Sequence, residues 1–131
     1  MKGLDTNVLV RFVVGDDRVQ QTRAKDYLQR HCTAEDPGFV NHIVLTEFVW
    51  VLERGYGYSR DAIRGVLEVL LGTSEIEVQD ASLVRRALAR FTEGADFADA
   101  LIGEINLERG CSSTATFDDA AVKRLPSFRS V

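Results

Sequence analysis

Four acidic residues stand in settings that otherwise read as core. Asp5 lies in Leu4-Asp5-Thr6-Asn7, Glu47 in Leu45-Thr46-Glu47-Phe48-Val49, and Asp99 in Asp96-Phe97-Ala98-Asp99-Ala100-Leu101-Ile102. Asp118 follows Thr114-Ala115-Thr116-Phe117. An ionised carboxylate is expensive to bury unless it is paired or binds a metal. Four such cases in one small chain point to a shared divalent-cation site. Two carboxylates about 4 Å apart repel by roughly 4 kcal/mol at an effective dielectric near 20, and a cation between them removes that cost. Hard oxygen donors with no His/Cys cluster suit Mg²⁺ or Mn²⁺ rather than zinc. Such a cation lowers the pKa of a bound water.

The elements that must position these acids alternate along the chain as apolar strand-like runs and helix-length patterns, which calls for a parallel α/β sheet. Residues 2–5 read as a first strand, and Val8, Leu9, Phe12 and Val13 recur at helical spacing after it. Asp16 or Asp17 is placed to cap a second helix running to about His31. Pro37-Gly38 breaks the chain before a second strand at residues 39–41. Asn41 is placed to cap a helix carrying Val44, Leu45, Phe48, Val51 and Leu52, and Gly55-Tyr56-Gly57 ends it. Ser59 caps the next helix, which stops at Gly72. Glu75-Ile76-Glu77-Val78 alternates as an edge strand. Asp80 caps a helix ending at Gly94, and Asp96 opens another ending near Gly110. Residues 112–117 make a fourth strand, Asp118 starts a short helix ending before Pro126, and residues 128–131 suit a fifth strand. Asp5 and Asp118 thus fall at carboxyl ends of strands, the edge where open parallel sheets bind ligands. Asp99 and Glu47 fall in the first and second turns of helices that start near that edge.

A second reading stands beside the first. Asp5, Asp96 and Asp118 each precede an expected helix, where Asp is a favoured N-cap. Asp96-x-x-Asp99 resembles a capping box. Glu47 is harder to assign to capping. It lies beside a stripe of Val44, Phe48 and Val51, and a Glu buried there needs a partner. Capping and cation binding are also compatible, because helix amino ends stabilise nearby anions.

The chain has 131 residues, the length of one domain, and 45% of them are hydrophobic, enough for a core. Nothing approaches the apolar length needed to span a bilayer, and Met1-Lys2-Gly3-Leu4-Asp5 does not read as a signal peptide. Cys32 and Cys111 lack metal-ligand spacing and read as reduced thiols of a cytoplasmic protein. The net charge of −4 looks wrong for a nucleic-acid binder. Setting five acids aside in a metal site leaves fifteen against sixteen basic residues, thirteen of them Arg. Arg is the better phosphate fork, so the balance neither excludes a nucleic-acid substrate nor argues for one. His31 and His42 are isolated. Trp50, Phe48 and Phe12 read as core or interface.

The segments around the four acids, with Leu4-Asp5-Thr6-Asn7-Val8-Leu9-Val10-Arg11 at one end and Lys123-Arg124-Leu125-Pro126-Ser127-Phe128 at the other, resemble PIN-domain ribonucleases of the kind that act as VapC toxins in VapBC toxin–antitoxin pairs. The four segments match in order over essentially the full length. The resemblance implies a three-layer α/β/α sandwich with a parallel four- to five-stranded sheet, formed by residues 1–131 as a single domain. It implies Mg²⁺- or Mn²⁺-dependent endoribonuclease activity that inhibits translation, with RNA as substrate, homodimerisation, a small VapB-like antitoxin as partner, and no membrane. The family's acidic quartet falls on Asp5, Glu47, Asp99 and Asp118. Asp5, Asp99 and Asp118 are the expected metal ligands, and Glu47 bears on a second metal or on the attacking water. Thr6, Asn7, Asp96 and Thr116 are the expected supporting residues around them. Asp96 is also a candidate to share the third position, and Asp119 competes with Asp118 for the fourth. Arg11 could reach an RNA phosphate, although a plain surface role is preferred.

Three rivals are weighed against this. A phosphoacceptor receiver domain needs an early acidic pair and a lysine after a late strand, and Lys123 is poorly placed for that. A haloacid-dehalogenase-type phosphatase needs Asp-x-Asp, and Asn7 occupies the second place. A non-catalytic PIN-like RNA- or protein-binding module would have lost one or more of the acids.

Overall fold

The computed structural model covers residues 1–131, which divide into two compact units, Met1–Gln79 and Asp80–Val131. No helix is long and apolar enough to cross a membrane.

The first unit runs β1 (Lys2–Gly3), α1 (Thr6–Val13), α2 (Arg18–His31), β2 (Gly38–Val40), α3 (His42–Trp50), α4 (Arg60–Gly72) and β3 (Ile76–Val78). Its strands pair in parallel in the order β1-β2-β3, with Gly3 opposite Phe39 and Val40 opposite Val78. The expected edge position of β3 holds within this sheet. Parallel strands need helical crossovers, and the apolar faces of those helices supply the core. Leu9, Val40, Leu45, Phe48, Leu52, Ile63 and Leu67 are almost entirely buried. Gly38 permits the closest approach: a Cβ there would stand 2.7 Å from Leu4 Cδ1 and 3.1 Å from Cys32 Sγ. Cys32 is buried and Cys111 exposed, and both are free thiols.

The helix starts follow the capping residues closely. Asp17 accepts from Gln20 N–H at 3.0 Å, Asn41 from Val44 N–H at 2.9 Å, and Ser59 from Ala62 N–H at 3.1 Å. Each satisfies a donor that the first helical turn leaves without a partner. Helix α3 ends differently from expectation. Before Gly55-Tyr56-Gly57 it widens into a π-helical turn, Val51–Gly55, in which Tyr56 N–H reaches back five residues to Val51 O at 3.1 Å. Trp50 is also 61% exposed, whereas Phe48 is fully buried and Phe12 half-buried, so only Phe48 is core outright.

The second unit runs α5 (Ala81–Thr92), α6 (Phe97–Glu108), β4 (Thr114–Thr116), α7 (Asp119–Arg124) and β5 (Phe128–Ser130). Strands β4 and β5 pair in parallel, Thr114 opposite Phe128 and Thr116 opposite Ser130. All five expected strands therefore form and all pair in parallel, in two hydrogen-bonded groups of three and two. Helices α5 and α6 pack together, with Phe91 and Phe97 edge to face at 6.0 Å. Gly103 lets α6 lie close to β5, since a Cβ there would stand 2.8 Å from Phe128 Cε1. One expected cap fails. Asp80 precedes α5, but its backbone is left-handed at φ 45° and its side chain makes no capping hydrogen bond. Asp tolerates that conformation better than most residues, and the turn out of β3 uses it for shape.

Candidate active site

In the first unit, Asp5 follows the carboxyl end of β1, where Leu4 N–H still bonds to Phe39 O of β2 at 2.9 Å. It is the N-cap of α1, and its Oδ1 accepts from Thr6 N–H at 2.8 Å. Asn41 does the same at the end of β2. Parallel neighbours thus deliver the amino ends of α1 and α3 to one edge of the sheet. Thr6 is buried, 7% exposed, and its hydroxyl has no hydrogen-bond partner. Asn7 is exposed. Glu47 lies five residues into α3, about 7 Å along the axis from His42.

The burial inferred for these acids is corrected by the structure. Asp5, Glu47, Asp96 and Asp118 are exposed, and only Asp99 is half-buried. Glu47 shares the outer face of α3 with Ile43 and Trp50, opposite the buried Val44, Leu45, Phe48 and Val49. It forms no ion pair or hydrogen bond, and at that exposure it requires none.

In the second unit, Asp96 caps α6, its Oδ2 accepting from Asp99 N–H at 3.0 Å, and Asp99 occupies the third helical position. Asp118 lies two residues past the end of β4 and caps α7, its Oδ1 accepting from Ala120 and Ala121 N–H at 2.9 and 3.3 Å. The Thr116 hydroxyl accepts from Asp118 N–H at 3.0 Å, fixing the turn that presents Asp118. Asp119 is the exposed first residue of α7 and makes no such bonds. Asp99, Asp96 and Asp118 feel one another. Burial first, then the charges of Asp96 and of Asp118, raise the Asp99 carboxyl above its ordinary value.

The donor chemistry suits a hard divalent cation. The acids offer carboxylate oxygens, and the capping bonds occupy one oxygen each on Asp96 and Asp118, leaving the second free. Asp99 is held where its charge is unfavourable without a counter-ion. Thr6 presents an orphaned hydroxyl beside Asp5. As the side chains lie, no group of three or more His, Cys, Asp or Glu is close enough to hold an ion. Asp5 and Glu47 belong to the first unit, and Asp96, Asp99 and Asp118 to the second.

Arg11, in the last turn of α1, is held by its neighbours. Its guanidinium pairs with Asp16 at 3.1 Å and donates to the Tyr56 hydroxyl at 3.5 Å, and that hydroxyl donates to the other Asp16 oxygen at 3.0 Å. The bond to Asp16 raises the Tyr56 pKa. Tyr56 carried no signal in the sequence beyond its place between two glycines.

Parallel strands feeding N-capped helices, with acids at those junctions, define a class, and the chain belongs to it: the PIN domain family, whose model matches residues 3–126. It is similar to a protein named VapC ribonuclease from Aquifex aeolicus (strain VF5), 29% identical over 93 residues, which are 71% of this chain and 68% of that one. The family resemblance read from the four acidic segments is therefore borne out.

Proposed function

We propose that this chain is a metal-dependent endoribonuclease acting on RNA phosphodiester bonds, and that its two units complete one three-layer α/β/α domain. The observation that carries the reading is Asp99, held at the head of α6 with its carboxyl raised by burial and by the Asp96 and Asp118 charges. A bound cation would relieve that charge, and the match of the PIN domain model over residues 3–126 supports the same reading. Asp5, Asp99 and Asp118 would hold Mg²⁺ or Mn²⁺. When bound, the ion supplies Lewis acidity at the scissile phosphate and makes water a better nucleophile.

The chain's own residues do the rest. Glu47, exposed and without a partner, takes a proton from the attacking water. The water oxygen bonds to phosphorus, the bond from phosphorus to the 3′ oxygen breaks, and that oxygen takes a proton from bulk water while Glu47 returns its own to solvent. The products are a 5′-phosphate and a 3′-hydroxyl. Asp96 fixes the α6 turn that presents Asp99, Thr116 fixes the turn that presents Asp118, and Thr6 and Asn7 flank Asp5. The similarity to a VapC ribonuclease supports a role as the toxin of a toxin–antitoxin pair, inhibiting translation as a homodimer and silenced by a small VapB-like antitoxin.

The test is incubation of purified, antitoxin-free protein with total RNA in Mn²⁺, in Mg²⁺ and in EDTA, with Asp5→Asn as control. Metal-dependent cleavage, lost in a variant that keeps its fold, is the expected result. Equal cleavage by Asp5→Asn would refute the assignment of the acids. Absence of cleavage together with absence of metal binding by calorimetry would favour a non-catalytic binding module.

A further inference from the structure

The first unit holds a cavity of about 690 Å³ between the β1–α1 segment and one face of α2, within the size range of ligand sites. One wall is Gly3, Leu4, Asp5, Asn7, Val8 and Arg11. The other includes Arg23, Tyr27, Arg30 and His31, which recur at the spacing of a single helix face. Arg23 and Arg30 stand about 10 Å apart along α2. Neither has a hydrogen bond or ion pair, although the chain as a whole carries a net charge of −4. Tyr27 and His31 lie between and beside them with ring centroids 4.7 Å apart, and Tyr27 is 40% exposed. Among the acids of the groove, Asp26 makes no ion pair and Asp5 is the proposed metal ligand. Arg11, in the last turn of α1, is held by Asp16.

Unpaired guanidiniums flanking an aromatic pair are the chemistry of a single-stranded polynucleotide track: forks for phosphates and a flat face for a base. A duplex would present no unstacked base to Tyr27. We propose that this α2 groove seats the single-stranded RNA segment flanking the cleaved bond, with Arg23 and Arg30 on phosphates and Tyr27 stacking on a base. The proposal rests on the nuclease reading for its substrate and adds where that substrate lies. Asp5 lines the groove, so a strand along α2 passes Asp5.

The experiment measures binding of a fluorescent single-stranded RNA 12-mer, and of fluorescent poly-glutamate, by anisotropy in EDTA, where nothing is cut, and cleavage of the same RNA in Mn²⁺. Wild type is compared with Arg23→Ala/Arg30→Ala, with Tyr27→Ala, and with Arg64→Ala/Arg109→Ala, which removes the same charge from exposed positions outside the groove. All replace exposed side chains, and circular dichroism checks each fold. The groove double variant is expected to bind RNA about tenfold more weakly, with its slope of log affinity against log salt reduced by about 1.4. Tyr27→Ala is expected to lose about fivefold or more, and the outer double variant to match wild type. Cleavage by the groove variants should show raised KM.

Equal losses in both double variants, or none in the groove variant, would overturn the proposal while wild-type cleavage still upheld the nuclease. Loss of poly-glutamate binding with RNA binding intact would also overturn it, assigning the groove to an acidic protein segment. Failure of wild type to bind RNA in EDTA would overturn the groove, and failure to cleave it in Mn²⁺ as well would remove the nuclease reading.

Discussion

Thr6→Val should make this protein more stable and less active. The Thr6 side chain is 7% exposed and its hydroxyl has no partner. A buried hydroxyl left unpaired costs about 1–3 kcal/mol in proteins. Valine has nearly the same shape and ranks beside threonine in helix propensity, so no offsetting loss arises at this first position of α1. The gain in unfolding free energy is therefore about 1–3 kcal/mol, read as a rise in urea midpoint at unchanged m-value. At this chain length each kcal/mol is worth roughly 4 °C in Tm. Cleavage should fall about 10- to 100-fold, the usual effect of removing a hydrogen-bonding group beside a metal ligand, because with the ion in place this hydroxyl would pair with water held next to Asp5. Thr6→Ser keeps the hydroxyl and should keep activity at a small cost in stability. A Thr6→Val protein less stable than wild type would refute the reasoning, because it would mean that the hydroxyl is already satisfied.

Two further outcomes concern the second unit. Asn caps helices as well as Asp does, so Asp118→Asn should retain wild-type stability and Asp118→Ala should lose about 1 kcal/mol. Both should abolish cleavage, whereas Asp119→Asn should leave it intact, and paired urea titrations and RNA digests read this out. For Asp99 the sign is set by its raised carboxyl. Ionisation is harder in the folded chain than in the unfolded one, so its contribution is fully present below the ordinary value of 3.8 and lost as pH rises through the raised folded value. In EDTA, Asp99→Asn should therefore gain urea resistance relative to wild type as pH rises from 4 to 7. In saturating Mn²⁺ the same variant should lose the metal-induced rise in Tm that wild type shows. An Asp99→Asn protein whose midpoint tracks wild type across that range would show that the Asp99 carboxyl is not raised in the folded chain.

What could be read from the chain was chiefly its punctuation. Asp17, Asn41, Ser59, Asp96 and Asp118 announce helices because a short polar side chain can accept from an N–H two or three residues on, a purely local event. Asp80 has the same composition signal and fails, because its left-handed backbone comes from the turn after β3. The exposure of Glu47 was misread for a reason visible in α3 itself. Ile43 and Trp50 flank it on the outer face, so the helix is apolar all round and offers no polar side from which to orient it. The face of Arg23, Tyr27 and Arg30 was overlooked for the opposite reason. On a polar helix it resembles ordinary solvated surface, and only the wall opposite turns it into a groove.

The π-helical turn at Val51–Gly55 has a consequence for chain length. It accommodates one residue more than an α-helical turn would, and each residue of α-helix rotates the next by about 100° around the axis. Deleting one residue there would let α3 run on as a regular helix and would swing Tyr56 away from Asp16 and Arg11. The guanidinium would then lose one of its two holders while every side chain in the groove stayed the same. A relative one residue shorter at this point would carry the same arginine on a looser tether. Length at residues 51–55, more than identity at Arg11, is therefore the character to compare among family members.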